Sequence, residues 1–551
     1  MKYKLKLLFF FLLLPAIAVA QEELKSDVED YYDFLSLSGA VERPYLNFRT
    51  LSDSHWKINE NTNHVWQGVN LAGRHPITGK MAYKVYGPKL FMSFNSASPY
   101  GVNDRALWQG KGFNLDFDVG ARFECYGFEF TLKPELSFSQ NMSFAYRTPA
   151  YSGNAAFKDK ADTYGYYGIT SIDAPQRFGN KPFFTYDWGD TEIRYSYKTF
   201  TVGFGTQHIW LGPAHINPIL HSNNAPPYPK LDIGMRKQPV ILGKWNAGYM
   251  EFRTWWGMLE ESKYFDVDTS NDNNLFTGLT ISYAPSFIPG FTVGFNRVML
   301  SKWKDKDWKS IFTLLIPFMQ ASSGVDRRDQ RASITFDYLF SSVGLDIYFE
   351  WGRNDFTTLA DYVMRYPFHS QGYTIGLKKT FQILPQLKGE ILLEHTNVEA
   401  SADYLTNTTR NGGYKNPRND VTFYAHHIIT QGHTNKGQWL GPGIGTGGNS
   451  QYLGIKLFYP KGMGTLFFQR VNPDNDFTWF KDIVDNFETA QESVRTNFSV
   501  GINGLYYITK DLWVKGQFVF IKEYNPTYRY FDLPQRFRFN TSTSVSIQYV
   551  Y

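Results

Sequence analysis

Polar and apolar residues alternate with a period of two through most of the chain beyond residue 81. In the C-terminal stretch TSTSVSIQYVY, Thr541, Thr543, Val545, Ile547, Tyr549 and Tyr551 share one face. Ser542, Ser544, Ser546 and Gln548 share the other. SVGLDIYFEW sets Val343, Leu345, Ile347, Phe349 and Trp351 against Asp346 and Glu350. DLWVKGQFVF sets Leu512, Val514, Phe518 and Phe520 against Lys515 and Gln517, and TEIRYSYK sets Ile193, Tyr195 and Tyr197 against Glu192, Arg194 and Lys198. Alternation alone fits a soluble sandwich with its apolar face inward. It fits equally a membrane barrel whose apolar face meets lipid and whose charges face the lumen.

The spacing predicts about 18 strands, an even number as a bacterial barrel requires. They lie near 82–96, 113–122, 126–136, 182–197, 200–206, 236–242, 246–258, 275–286, 290–299, 332–339, 342–351, 372–381, 387–397, 451–459, 464–471, 496–507, 511–524 and 541–551. Short connections such as IPG (288–290), FSS (340–342), PKGMG (460–464) and TKD (509–511) alternate with long ones at 300–331, 398–450 and 472–495. With both termini in the periplasm, every long connection falls on the outer side, provided that 236–242, with its Pro239, is a strand. Ahead of the sheet, Leu24, Val28, Tyr31 or Tyr32 and Leu35 recur at helical spacing, with acids at the start and Gly39 at the end. This predicts a short amphipathic helix at the periplasmic mouth, followed by a polar, irregular lead-in.

The ends and the composition choose between sandwich and barrel. Lys2, Lys4 and Lys6, the apolar run LLFFFLLLPAIAV and Ala18-Val19-Ala20 read as a secretory signal peptide cleaved before Gln21. No cysteine follows that site, which argues against a lipid anchor. Beyond it no apolar run reaches about 18 residues, so no membrane helix is available. FTLLIPFM (312–319) is far too short, and the lone Cys125 makes no internal disulfide. A closed sheet supplies the rigidity a disulfide-free exported protein needs. Without the three signal lysines, 53 basic face 51 acidic residues, a net +2 that gives no support for a nucleic-acid partner. The aromatic fraction of 18%, with 37 tyrosines, suits interfacial girdles. The expectation is an all-β transmembrane antiparallel β-barrel of about 18 strands with a short N-terminal periplasmic helix, in the outer membrane of a Gram-negative-type envelope. Its segments are 1–20 (signal peptide), 21–81 (helix and lead-in) and 82–551 (barrel with long outer loops). Expected partners are outer-membrane lipid and the barrel insertion machinery, because the terminal strand ending in Tyr551 resembles the signal that machinery reads.

One loop stands apart. WLGPAHINPILHSNNAPPYPKLDIG (210–234) carries prolines at 213, 218, 226, 227 and 229 together with Asn223-Asn224, which marks a stiff segment of little regular structure. Its Trp-Leu-Gly-Pro turn returns at 439–442 in QWLGPGIGTGG. Indole faces stack on sugar rings while amides and imidazoles bond hydroxyls, so His208, Trp210, Asn223, Asn224 and Trp439 are polysaccharide-binding candidates. The same residues suit a rigid plug folded into the lumen, and the two roles are compatible. His208, His215 and His221 are spaced unlike a compact metal site, His426, His427 and His433 lack cysteine companions, and NPDNDF (472–477) lacks calcium-loop spacing, so no metal or cofactor is expected. A hydrolase would need Ser222 and His208 to meet, yet no G-x-S-x-G elbow accompanies them. Asp346 with Glu350, and Glu390 with Glu394, read as a barrel-interior polar network in preference to a glycosidase pair, and no enzyme activity is expected.

These motifs resemble the capsule-assembly Wzi family of outer-membrane proteins. WLGP…ILHSNNAPPYPKL (210–231) is similar to the family's signature, and GHTNKGQWLGP (432–442) to its second glycine- and tryptophan-bearing loop. LKSDVEDYYDFLSLSGAV (24–41) resembles its N-terminal helix and EHTN (394–397) its late barrel; no clear second helix follows Arg43-Pro44. The resemblance implies a barrel of about 18 strands and a lectin-like role, holding capsular or other surface polysaccharide at the cell surface. The alternative function is an outer-membrane channel for small solutes.

Overall fold

The computed structural model describes residues 19–58, 62–71, 73–147, 163–167, 171–316, 328–354, 364, 368, 370–399, 423–476, 494–528 and 536–551. Most of the predicted signal segment, and large parts of the connections 303–327, 398–448 and 473–495, lie outside the described residues.

Eighteen antiparallel strands form a closed meander. They are β1 (Met81–Asn95), β2 (Gly112–Cys125), β3 (Phe128–Leu132, resumed at Glu135–Ser139), β4 (Phe183–Asp187, resumed at Glu192–Tyr197), β5 (Phe200–Gly205) and β6 (Lys230–Leu242). β7 (Trp245–Glu260), β8 (Asn273–Pro285), β9 (Phe291–Lys302), β10 (Arg328–Phe340), β11 (Leu345–Asn354) and β12 (Gln371–Leu384) follow. The last six are β13 (Leu387–Asn397), β14 (Asn449–Tyr459), β15 (Gly462–Asn472), β16 (Thr496–Tyr507), β17 (Leu512–Tyr524) and β18 (Phe537–Tyr549). β18 closes on β1 through pairs running from Ser542↔Asn95 to Gln548↔Lys89. Closure leaves no sheet edge, so the wall's backbone groups are satisfied without water.

The alternation sorts as expected. Ile193, Ile347, Phe518, Val545 and Ile547 are exposed on the outer face, whereas Arg194, Asp346, Glu350, Glu394 and Ser542 are buried inside. The short turns lie at one rim together with the start of β1 and the end of β18, and the long connections leave from the other rim.

Several boundaries differ from the sequence expectation, β10 and β18 each starting four residues before the predicted position, and two differences have a visible cause. β6 begins at Lys230, six residues before the predicted 236, because inward Asp232 accepts from Arg194 (2.9 Å) and Arg253 (2.6 Å) across the wall. Pro239 is tolerated because pairing of β6 with β5 ends at Met235, leaving no ladder partner on that side for the missing N–H. The last strand ends at Tyr549 instead of Tyr551; Val550 N turns to bond Asp511 O and Tyr551 lies exposed beyond it.

The helix α1 (Asp27–Leu37) sits inside the short-turn end of the lumen. Ser26 caps it by accepting from Glu29 N (3.1 Å), and Gly39, at φ +71°, ends it. A stripe of aspartates three residues apart meets wall lysines: Asp27 with Lys515 (2.6 Å), Asp30 with Lys456 (2.8 Å) and Asp33 with Lys378 (2.6 Å). Arg43 then joins Asp33 (3.0 Å) to Asp337 (3.1 Å) and Asp346 (2.5 Å) on the wall. Tyr31, Tyr32, Phe34 and Leu35 pack with Trp56, Trp66, Phe458 and Trp513, closing this mouth with an apolar core. The lead-in does not stay at the mouth but runs up the lumen. Glu251 accepts from Leu46 N (2.8 Å) and Phe48 N (2.8 Å), and Asp53 accepts from Arg236 (2.6 Å) and Arg253.

Candidate functional site

The proline-rich connection 206–229 leaves the long-loop rim and folds back into the barrel. Burial of a loop is costly unless its backbone groups find partners. Here the prolines lower the number of donors, and wall carboxylates receive several of those that remain. Glu394 accepts from His215 N (2.7 Å), Ile216 N (3.1 Å) and Asn217 N (2.7 Å), and Glu350 accepts from Ile219 N (3.0 Å). These inward carboxylates therefore anchor the loop. Trp210–Leu211 pairs with Phe48–Arg49 of the rising lead-in, so the loop and the N-terminal segment meet inside the barrel.

The second Trp-Leu-Gly-Pro segment locks onto the first. Ser222 N and Oγ donate to Leu440 O (2.7 Å) and Gly441 O (2.6 Å). Tyr424 Oη donates to Ile219 O (2.7 Å), His433 Nε2 to Leu220 O (2.6 Å) and Asn435 Nδ2 to Pro226 O (2.9 Å). Ile209, Leu211, Ile219, Leu220, Tyr228, Trp255, Phe276, Tyr424 and Leu440 form one apolar core across the lumen. Among the described residues, that layer plugs the barrel.

The five sequence candidates divide about this layer. Trp210 is fully buried, its Nε1 donating to Ala214 O (2.9 Å). His208 is buried against Asp190 (Nδ1 to Oδ1, 3.1 Å). His208 and Asn223 border a cavity of about 330 Å³ on the inner side, beside Lys25 and the start of α1. Asn224 and Trp439 instead border an outward cleft of about 290 Å³. The two cavities share Val102, Asp104 and Leu107, so the connection 96–111 separates them. It is stitched over the asparagines by Arg105 N to Asn223 O (2.8 Å) and Asn103 N to Asn224 Oδ1 (3.1 Å). Ser222 and His208 have separate partners, Gly441 and Asp190, and do not form a nucleophile–base pair with each other.

The outward cleft brings in residues that the sequence reading passed over. Trp108, Tyr166 and Gln438 line it with Trp439 and Asn224. Trp439 meets Tyr166 edge to face at 5.7 Å, and Asn224 Nδ2 donates to Trp439 O (3.1 Å). Asp474 accepts hydroxyls from Tyr166, Tyr167 (3.0 Å) and Tyr528 (2.9 Å), tying three outer connections together. Burial pushes the Asp104 carboxyl up to about 7, so near neutral pH both its protonated and its ionised form are present. Aromatic edges, amides and a half-protonated acid around one solvent-facing hollow suit a neutral polyhydroxyl ligand. Elsewhere, ligand atoms of Glu261, Asp266 and Asp272 gather within 4.8 Å, the group among the described residues with the geometry to hold a cation. Burial, then repulsion from Asp173 and its two neighbours, push Glu261 up to about 10, so it carries its proton at neutral pH.

The family described as capsule assembly protein Wzi matches residues 96–476. Among solved structures, Wzi of Escherichia coli is similar over 97% of this chain and 100% of its own, with a TM-score of 0.60 and 11% identity. That protein is described as an outer membrane protein involved in group 1 capsule assembly and as a carbohydrate-binding β-barrel. OccK2 (OpdF) and OprD of Pseudomonas aeruginosa cover 87% and 84% of this chain, and 99% and 92% of their own. Their TM-scores are 0.38 and 0.36, each at 9% identity, too remote to carry an argument. No curated protein matches.

Proposed function

The chain belongs to the capsule assembly protein Wzi family, and from that premise we propose that it is a lectin-like outer-membrane protein that binds capsular or other surface polysaccharide and helps to hold it at the cell surface. The similarity to the Escherichia coli carbohydrate-binding barrel supports this reading. The observation that carries it is the cleft bordered by Trp439, Trp108, Tyr166 and Asn224, outward of a plugged lumen. The mechanism is attachment without bond breaking. Each cleft holds a few sugar units weakly, and a long polymer held by many copies gains retention through avidity. A plug of apolar core and anchored backbone suits holding and opposes conduction of solutes, the alternative reading.

The test compares cell-bound with released polysaccharide in wild type, a deletion strain, and a Trp108→Ala/Trp439→Ala strain. Loss of an aromatic contact is worth about 0.5–1.5 kcal/mol, roughly 2- to 10-fold per site. Both mutant strains are expected to shed polymer, the double variant while its barrel still migrates as a folded, heat-modifiable species. A folded cleft variant that keeps its polymer as wild type does would overturn the reading.

A further inference from the structure

The connection after β9 behaves unlike the loops that fill the lumen. Its described part, Trp303–Ile316, folds over the outside of the wall. Direction follows from strand alternation: Asn296 reaches Asn47 in the lumen (2.6 Å), so Arg297 and Met299 point outward. Leu314 of the connection packs on outward Leu279 and Met299. Trp256 Nε1 donates to Ile311 O (3.0 Å), and Arg297 donates to Ile316 O (2.8 Å) and Gln330 Oε1 (2.7 Å). A short helix, α2 (Trp308–Phe312), is held by a capping box at Asp307.

This overhang leaves Trp308, Phe312 and Ile316 more than half exposed. Around them Lys302, Lys304, Lys306 and Lys309 outnumber Asp305 and Asp307, and Asp307 is engaged by Arg328 (3.1 Å). Apolar anchors beside an excess of lysines are the composition of a segment lying in a lipid interface of negative charge. Below it, the outer wall carries a nearly wholly apolar groove of about 490 Å³ lined by Ile281, Val293, Phe295, Ile334 and Trp351, with Arg353 at its long-loop end. Ile281 also packs against the Leu279–Met299–Leu314 cluster, so groove and overhang are continuous.

We propose that overhang and groove form a binding site for one phosphorylated, multiply acylated glycolipid of the outer leaflet. An acyl chain lies in the groove, Trp308 and Phe312 sit among neighbouring chains, and the phosphates meet Lys304, Lys306 and Lys309. The site rests on the long connections facing the cell exterior, as the functional reading has it. It would give the polysaccharide-holding barrel a fixed lipid neighbour on one side.

The test uses the full chain in phosphatidylethanolamine nanodiscs carrying trace lipopolysaccharide or, separately, trace phosphatidylglycerol, with bound lipid counted by native mass spectrometry. Wild type is expected to capture lipopolysaccharide at least ten-fold over phosphatidylglycerol. K304Q/K306Q/K309Q should reduce that capture about 100-fold, at about five-fold per lysine near an anionic surface. A332W, which fills the groove from a lining position, should also reduce it. Heat-modifiable migration confirms folding, and the surface triple variant decides the matter if A332W fails to assemble. Equal capture of the two lipids, or full capture by the folded triple variant, overturns the proposal. Polysaccharide release is measured in the same strains. Lipid capture lost from wild type with normal retention of polymer overturns this site alone, whereas a cleft variant that keeps its polymer overturns the functional reading alone.

Discussion

Trp210 and Arg49 face each other in a two-residue antiparallel ladder, with the guanidinium 5.1 Å from the indole centroid. One residue comes from a long-loop connection and the other from the segment that enters at the opposite mouth. Their meeting joins the fillings of the two ends inside the barrel. Trp210→Ala removes a fully buried indole, a change that costs about 3–5 kcal/mol where the site cannot collapse. The wall does not depend on Trp210, so the expected outcome is a folded barrel with a loosened plug. In planar bilayers wild type should stay closed, and the variant should show discrete conducting steps.

Glu394 tests the anchoring from the wall. Its carboxylate receives three backbone amides of residues 215–217 and the Tyr348 hydroxyl (2.7 Å). Glu394→Ala strands these donors, at about 1–3 kcal/mol for each one left buried without a partner. Glu394→Gln keeps one acceptor oxygen and should do less damage. Hydrogen exchange across residues 206–229 should rise in the order wild type, glutamine, alanine, with the strands unchanged.

Much of the barrel was legible in the chain because a wall with lipid on one face and polar filling on the other imposes strict alternation. The eighteen wall strands follow from that signal, including β6 with its awkward Pro239, whereas the short strand His75–Thr78 beside β1 and the Phe48–Arg49 and Trp210–Leu211 ladder inside the lumen do not. The plug was less legible. Parity says from which rim a connection starts, but not whether it folds outward or into the lumen, so Trp210 and Trp439 looked equivalent although one is buried and the other borders the outward cleft. That choice depends on acceptors such as Glu350 and Glu394, whose partners lie well over a hundred residues away. Trp108 and Tyr166 carry no motif; the aromatic cluster Tyr164-Gly165-Tyr166-Tyr167 was the available hint. NPDNDF lacks calcium-loop spacing, but nothing in its sequence says that Asp474 takes tyrosine hydroxyls from two other connections.

Acid should loosen the plug. His221 Nδ1 donates to Ile209 O (2.9 Å) and Nε2 accepts from Tyr228 Oη (2.9 Å), a neutral ring. Burial, then the nearby Lys230 charge, bring its pKa down to about 3. Burial likewise lowers His215, with Lys378 adding and Asp33 opposing, and His433, with Arg331 adding. An opened loop regains the ordinary value near 6.5, so the opened state binds more protons as pH falls below it. Stability is therefore complete above about 6.5 and is lost as pH falls toward 3, by about 2 kcal/mol at pH 5 for His221 alone. Amide protection factors over 206–229, corrected for intrinsic exchange, should drop between pH 7.5 and 5. In His221→Gln the drop should be smaller.

Gly278 makes the last link between wall and plug. It stands inward on β8 opposite Trp255 of β7, and a methyl group at 278 would collide with the Trp255 indole. Trp255 is fully buried and rests 5.8 Å from Phe48, the residue that pairs with Leu211. Gly278→Ala therefore pushes through the indole onto the plug ladder, at about 1–3 kcal/mol for overpacking of this kind. The effect should vanish when the obstacle is removed: in a Trp255→Ala background the same substitution should be nearly neutral. Urea titration of heat-modifiable migration in the four proteins measures the coupling. Additive costs would show that the close approach of Gly278 to Trp255 does not limit packing here.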